Sequence, residues 1–159
     1  MKGIIIYGTK YGCTEKAVKM LQSKLPAGFG AVNLSKGEAP DLSHYDAVIL
    51  GGPVYAGKTL KEVNSFMTQN IDALKEKRLG LFLCAGEENT EKRKEMLASV
   101  FPGELCSRAT VMEVIGGELY WDKLDFFTKL ILRVFIGVKD GYARLSEGTI
   151  SSFAKTIAG

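Results

Sequence analysis

The chain has one histidine, three cysteines, one tryptophan and four prolines among 159 residues. His44 stands alone, and Cys13, Cys84 and Cys106 lie far apart with no Cys-x-x-Cys spacing. Neither a zinc site nor a disulfide framework is therefore expected, and no metal is expected in the chemistry. A strong charge of one sign is also missing: the formal net charge is +3, and basic residues are interleaved with acids, as in Glu91-Lys92-Arg93-Lys94-Glu95. Such a run reads as a solvated helix face, which removes nucleic acid from the expected partners. Long hydrophobic runs are lacking too. The most apolar late window, Leu124 to Val138, is broken by Lys129 and Arg133, so it does not read as a spanning helix. The first residues enter a strand at once without a signal-peptide pattern, and a cytoplasmic location is the expectation.

What is present is enough apolar material, 46% of the residues with 25% charged, for one globular domain over residues 1–159 with a sizeable core. Lys2 to Tyr7 reads as a first strand in which Ile4, Ile5 and Ile6 run without alternation, as when both faces of a parallel sheet are covered. A helix follows, with Ala17, Val18, Leu21 and Leu25 at helical spacing, and stops at Pro26. Phe29 to Leu34 is a weaker second strand, Tyr45 to Gly51 a strong third and Leu79 to Cys84 a fourth. A helix is predicted from Leu60 to Lys77 and another from Thr90 to Val100. Ala109 to Ile115 reads as strand five and Thr149 to Ile157 as the last helix. Alternating strands and helices predict an α/β, doubly wound, five-stranded parallel sheet in the order 2-1-3-4-5. In that order the loops after strands one, three and four meet in one crevice.

Each of those loops has the composition of a ligand site. Thr9-Lys10-Tyr11-Gly12-Cys13-Thr14 joins the first strand to a helix start, where unpaired N–H groups, the helix dipole and threonine hydroxyls favour an anion. A nucleotide P-loop would need Lys-Ser or Lys-Thr after the second glycine, and the dinucleotide fingerprint would need three glycines, so both are excluded. An ordinary N-capped helix is the alternative. Cys13 reads either as a thiol activated by the helix end or as a small filler beside a ligand. After strand three, Pro53-Val54-Tyr55-Ala56-Gly57-Lys58 sets small and stiff residues around one aromatic. Tyr55 suits stacking on a flat ring, or else plugs a strand end. Cys84-Ala85-Gly86-Glu87-Glu88-Asn89 forms the third loop. A receiver domain is disfavoured, because strand one ends without the acidic pair that would hold Mg²⁺.

The Thr-x-x-Gly-x-Thr loop of residues 9–14 resembles the FMN phosphate loop of flavodoxins, and Asp41 to Tyr55 resembles their third strand and ring-binding loop, in register with it. The similarity covers roughly residues 2 to 117 and resumes at the last helix. It implies non-covalent FMN, with residues 9–14 around its phosphate, 53–58 bordering the isoalloxazine and 84–89 closing the other side. Two departures stand out: many flavodoxins that carry electrons are strongly acidic and flank the ring with two aromatics, whereas this chain is slightly basic and its strand-four loop has none. A less acidic surround should ease flavin reduction.

About thirty residues between strand five and the last helix exceed what the fold needs, giving a helical insertion over about 118–147. On a helical wheel over Asp122 to Ile136, Asp122, Asp125, Lys129 and Arg133 form a polar stripe, and Leu124, Phe127, Leu130, Ile131, Leu132, Val134 and Phe135 fill the rest. An arc of roughly 200° is about twice what seating on a core requires. Either the helix packs in a groove with little exposed, or part of the arc meets a second subunit, an apolar substrate over the flavin or a membrane surface. Gly116, Gly117, Leu119 and Tyr120 resemble the turn before the insertion of flavodoxin-like protoporphyrinogen IX dehydrogenases, although Tyr120 here directly follows Leu119. That resemblance implies an FMN-dependent oxidoreductase acting on a porphyrinogen or quinone, although the insertion of those enzymes is markedly more basic. The alternatives are an electron-transfer protein that docks on a redox partner, and a fold used only for protein interaction. No acid or base residue is assigned; Tyr55, Tyr120 and Trp121 are candidate substrate contacts.

Overall fold

The isoleucine run divides between two layers: Ile4 and Ile6 point into one apolar cluster and Ile5 into the other, following the period of two of a strand. Every residue of this first strand, β1 (Gly3–Tyr7), is buried. The computed structural model describes residues 1–137 and 141–159, without the side chains of Phe135 and Ile136. The next elements are α1 (Cys13–Lys24), β2 (Phe29–Asn33), β3 (Ala47–Pro53), α2 (Lys61–Gln69) and α3 (Ile71–Lys75). After them come β4 (Arg78–Cys84), α4 (Thr90–Val100), α5 (Gly103–Arg108) and β5 (Val111–Val114). The chain closes with β6 (Glu118–Leu119), α6 (Phe126–Ile131), β7 (Tyr142–Ala143) and α7 (Glu147–Ala158).

The main sheet has five parallel strands in the order β2-β1-β3-β4-β5, as the alternation of elements predicts. One face of it meets Val63, Phe66 and Met67 of α2, Leu74 of α3, Leu97 and Val100 of α4 and Leu105 of α5. The other meets Ala17, Val18 and Leu21 of α1 and Ile150, Phe153, Ala154 and Ile157 of α7. Phe82 meets Phe153 edge-on, with ring centroids 6.3 Å apart.

Several boundaries differ from the sequence expectations. Strand three continues to Pro53, because Gly51, Gly52 and Pro53 pair with Phe82, Leu83 and Cys84. The helix expected over Leu60 to Lys77 is two helices meeting at Asn70, whose backbone leaves helical geometry (φ −119°, ψ 18°) and whose side-chain amide donates to the Phe66 carbonyl at 2.9 Å beside its own backbone N–H. α5 has no counterpart in the sequence reading.

The insertion is corrected most. In place of one helix from Asp122 to Ile136 there is a 3₁₀ turn at Trp121–Lys123, a break, α6 and then a wider π turn over Leu132–Ile136. Asp125 does not lie on a helical stripe: it caps α6, its Oδ1 accepting the Thr128 N–H at 2.6 Å, and Asp122 belongs to the preceding turn. Leu124, between them, is buried. Val138, the end of the apolar window, and the Phe135 side chain lie outside the described residues. The insertion is also not wholly helical, since β6 and β7 pair antiparallel at its two ends. Phe126, Phe127, Leu130, Ile131 and Val134 are left exposed, the two phenylalanines at 79% and 72%. Among the described residues no helix is long and apolar enough to cross a membrane.

Candidate functional site

The loop after β1 turns into α1 through Gly12, which caps the helix at φ +95°, a conformation open to glycine at little cost. Gly12 donates its N–H to Thr9 Oγ1 at 3.0 Å and brings no side-chain cap, so the first N–H groups of α1 stay free for another acceptor. Thr14 is 1% exposed. Its Oγ1 makes no hydrogen bond of good geometry and has the weakly bonding Cys84 sulfur for a neighbour. A buried hydroxyl at a helix N-terminus, with no mate of its own, fits an anion that supplies the missing acceptor. Cations stand close by: Lys10 Nζ lies over the Tyr11 and Tyr55 rings, and Lys123 reaches from the insertion to donate to the Tyr11 carbonyl at 3.3 Å.

After β3 the chain makes a two-residue hairpin. Tyr55 and Lys58 exchange backbone hydrogen bonds of 2.7 and 3.0 Å around Ala56 and Gly57. Both central residues have positive φ, +49° and +76°, the geometry of a type I′ turn. The turn carries Ala56, Gly57 and Lys58 away and leaves Pro53, Val54 and Tyr55 on the site. Tyr55 is 43% exposed, and the partial burial of its phenol raises its pKa, so the ring stays neutral.

The loop after β4 is held from the far end of the insertion. Arg144 donates to the Gly86 carbonyl at 3.1 Å, lies 3.4 Å from the Glu88 carboxylate and stacks on Tyr142. The Tyr142 ring rests against Gly86 so closely that a Cβ there would collide with it. An aromatic missing from this loop in sequence is thus supplied by β7. Asn89 points elsewhere, its Oδ1 capping α4 by accepting the Lys92 N–H at 3.0 Å.

These three loops and the insertion enclose a cavity of about 570 Å³ at the carboxyl ends of β1, β3 and β4, inside the range of roughly 300–1,000 Å³ usual for cofactor sites. Of the residues singled out in sequence, Thr9, Lys10, Tyr11, Cys13 and Thr14, Pro53 to Tyr55, and Cys84 to Glu88 line it together. Gly12, Ala56, Gly57, Lys58 and Asn89 do not. Sequence reasoning missed the roof: Leu119, Tyr120, Leu124, Thr128 and Leu132 come from the insertion, Met96 from α4, and Gly117, Glu118, Tyr142 and Arg144 from its two ends. Tyr120 was expected only as a substrate contact, and Trp121 is outside the lining. Asp125-x-x-Thr128, a capping pattern before an apolar run, is the local signal that would have placed Leu124 and Thr128 differently.

Glu118 ties the roof to the floor. Its side chain, 7% exposed, binds Lys16 at 2.7 Å and accepts the Tyr120 hydroxyl. Burial alone would raise its pKa; Lys16 and Tyr120 outweigh that and leave it lowered. The Tyr120 phenol is raised, by burial first and then by its bond to this carboxylate. The Glu118 N–H also donates to Cys13 Sγ at 3.1 Å. All three cysteines are free thiols, and in the fold Cys13 packs against the buried cluster that contains Cys84.

Likeness to solved structures is at the level of the fold. A flavodoxin from Streptococcus pneumonia TIGR4 superposes with a TM-score of 0.59 at 14% identity, over 99% of this chain and 98% of that one. The rubredoxin oxygen:oxidoreductase of Desulfovibrio gigas gives 0.57 at 18%, over 99% of this chain, which spans 35% of that larger protein. A flavoprotein in complex with FMN from Lactobacillus acidophilus NCFM gives 0.50 at 18%, over 73% and 91%. Among curated proteins none matches the sequence. The flavodoxin domain family model matches residues 4–146, and with the sheet order and the three converging loops in place, the chain belongs to that family.

Proposed function

We propose that this chain is an FMN-dependent oxidoreductase of the flavodoxin type that acts on an apolar aromatic substrate such as a porphyrinogen or a quinone. Membership of the family and the Lactobacillus relative in complex with FMN support the cofactor. The residues fit it: the Thr14 hydroxyl, Thr9 and the free N–H groups of α1 would take the phosphate, with Lys10 and Lys123 balancing its charge. Tyr55 and Tyr142 offer rings beside the flat group. Bound there, FMN would supply the electron chemistry; the protein orients both reactants and excludes water.

The observation that carries the enzyme reading is the roof. Leu119, Leu124 and Leu132 close an apolar chamber over the three cofactor loops, which a small hydrophobic reactant could share. The second reading, an electron-transfer protein without its own substrate, is favoured by the exposed face of Phe126, Phe127 and Val134, which suits docking on a redox protein. The same face would serve a homodimer or contact with the cytoplasmic side of a membrane, and a cytoplasmic location goes with either reading.

The deciding experiment is a visible spectrum of the protein incubated with FMN, followed through anaerobic stepwise reduction and then mixed with quinones. Tight binding, uptake of two electrons in one step and turnover with a quinone support the enzyme. Two separate one-electron steps without turnover support the carrier. A colourless protein that refuses FMN overturns both.

A further inference from the structure

The two ends of the insertion are tied firmly to the floor of the site: Glu118 reaches Lys16 and Cys13, and Arg144 reaches Gly86 and Glu88. The roof between them is not. Among the described residues, the hydrogen bonds of the 3₁₀ turn Trp121–Lys123 and of α6 stay within the insertion, with one exception. Lys123 Nζ crosses to the floor and donates to the Tyr11 carbonyl at 3.3 Å. The rest of the seating is apolar, through buried Leu124 and half-buried Leu132 over the cavity.

That single polar tie sits in an unfavourable place. A Cβ at Gly12, the residue that caps α1 without a side-chain acceptor, would lie 3.7 Å from Lys123 Nζ. The ammonium therefore stands at the positive end of a twelve-residue helix whose first N–H groups are free, beside a loop that already carries Lys10. Like signs repel there, and 3.3 Å is long for a hydrogen bond from a charged donor. Among the described residues no carboxylate pairs with Lys123, and its other neighbour is the Tyr120 ring, with the centroid 4.8 Å from the ammonium.

An anion at this point reverses the sign. The start of α1 is an anion site on separate grounds, since the buried Thr14 Oγ1 has no hydrogen bond of good geometry and its residue lines the cavity. A phosphate held there would attract the helix end and Lys123 together, and the ammonium has donors to spare for it.

We propose that Lys123 is an anion-dependent latch: a phosphate group at the start of α1 draws the roof down onto the floor, and without it the roof is free to lift between its two fixed ends. For the flavin this rests on the cofactor reading above, and the site then tells FMN from riboflavin by where the roof sits as well as by affinity. The linkage is reciprocal. The factor by which the anion favours the closed roof is the factor by which a closed roof tightens the anion.

The test is hydrogen–deuterium exchange, read by mass spectrometry on peptides covering residues 119–134 of the full chain. The protein is measured alone, with inorganic phosphate titrated to saturation against chloride at equal ionic strength, with riboflavin, and with FMN whose binding is followed by its visible spectrum. Phosphate and FMN should each slow exchange in this segment at least about fivefold, the low end of ordinary coupling between sites, and riboflavin should not. Lys123→Met should remove the slowing by phosphate, and Lys123→Arg should keep it. Lys123 is exposed, so exchange in β1, β3 and β4 should be the same in all three proteins. Slowing by phosphate in a protein that refuses FMN would refute the cofactor reading and leave the latch in place. The latch itself is overturned if phosphate does not slow the roof, if its effect survives Lys123→Met, or if riboflavin and FMN protect equally. Bound FMN beneath a roof that exchanges as fast as in the free protein would also overturn it, while the cofactor reading stands.

Discussion

Thr14→Val separates the ligand-binding role of a buried hydroxyl from any structural one, because the two predict opposite signs. Without a ligand, Thr14 Oγ1 is buried and has no good partner. An unmade hydrogen bond of this kind costs about 1–3 kcal/mol, of which the nearby Cys84 sulfur returns part. Valine keeps the shape and removes the polar atom, at a helix-propensity cost of a few tenths of a kcal/mol. Ligand-free Thr14→Val should therefore be as stable as the parent or up to ~1 kcal/mol more stable in urea denaturation. Binding of FMN should move the other way. A hydrogen bond to a charged group contributes about 1.5–3 kcal/mol, so the Kd should rise roughly 10- to 150-fold. Riboflavin, which has no phosphate, should bind both proteins alike. Isothermal titration with the two flavins reads this directly. Equal losses for riboflavin and FMN, or a ligand-free protein destabilised by more than ~1 kcal/mol, would show that the hydroxyl serves the fold and refute the anion argument.

Gly116 has φ +87°, and a Cβ there would collide with the Arg144 carbonyl; Gly116→Ala should cost at least ~2 kcal/mol in thermal unfolding, through strain and displaced backbone together. Ala56 occupies a left-handed position, φ +49°, in the turn after β3. Its strain, about 1–2 kcal/mol, exceeds the entropy cost of glycine, about 0.5–1 kcal/mol, so Ala56→Gly should raise stability by roughly 0.5 kcal/mol, with a lowered midpoint counting against the turn assignment. Glu118 has a folded pKa below its ordinary 4.5. Its stabilisation is therefore complete above that pH and is lost as pH falls through the folded value. The acid limb of a stability-versus-pH curve should be shallower in Glu118→Gln; an unchanged limb would mean that the Lys16 and Tyr120 contacts contribute nothing.

The sheet and the floor of the site were legible because their signals are local. Ile4 to Ile6 and Val48 to Leu50 are continuous apolar runs, and a strand buried on both faces produces such runs wherever it lies. The strand-to-helix turn at Gly12 and the small residues after β3 sit beside the strands they extend, so the topological rule alone brought those loops together. The roof was not legible for the converse reason. Apolar residues recur at helical spacing across residues 122–136, but α6 begins only after the capping carboxylate of Asp125, and Leu124 before it is extended and buried. No periodicity signals that Tyr142 will lie on Gly86, or that Cys13 will pack against the cluster that holds Cys84, since both arrangements join segments distant in the chain. The break at Asn70 was equally hidden, because one residue with non-helical backbone angles (φ −119°, ψ 18°) leaves the apolar spacing on both sides of it intact.

The hairpin formed by β6 and β7 has an evolutionary consequence. Glu118 pairs with Ala143 and Leu119 with Tyr142, and just below them Arg144 donates to Gly117 at 2.6 Å and Ser146 to Ile115 at 3.0 Å. The chain leaves the edge of the main sheet and returns to it through one sealed neck. Whatever hangs beyond that neck can be lengthened, shortened or exchanged at small closure cost, since that cost grows only with the logarithm of loop length. The neck is a socket: descendants of this chain could trade one roof for another while the sheet beneath keeps its three site loops unchanged.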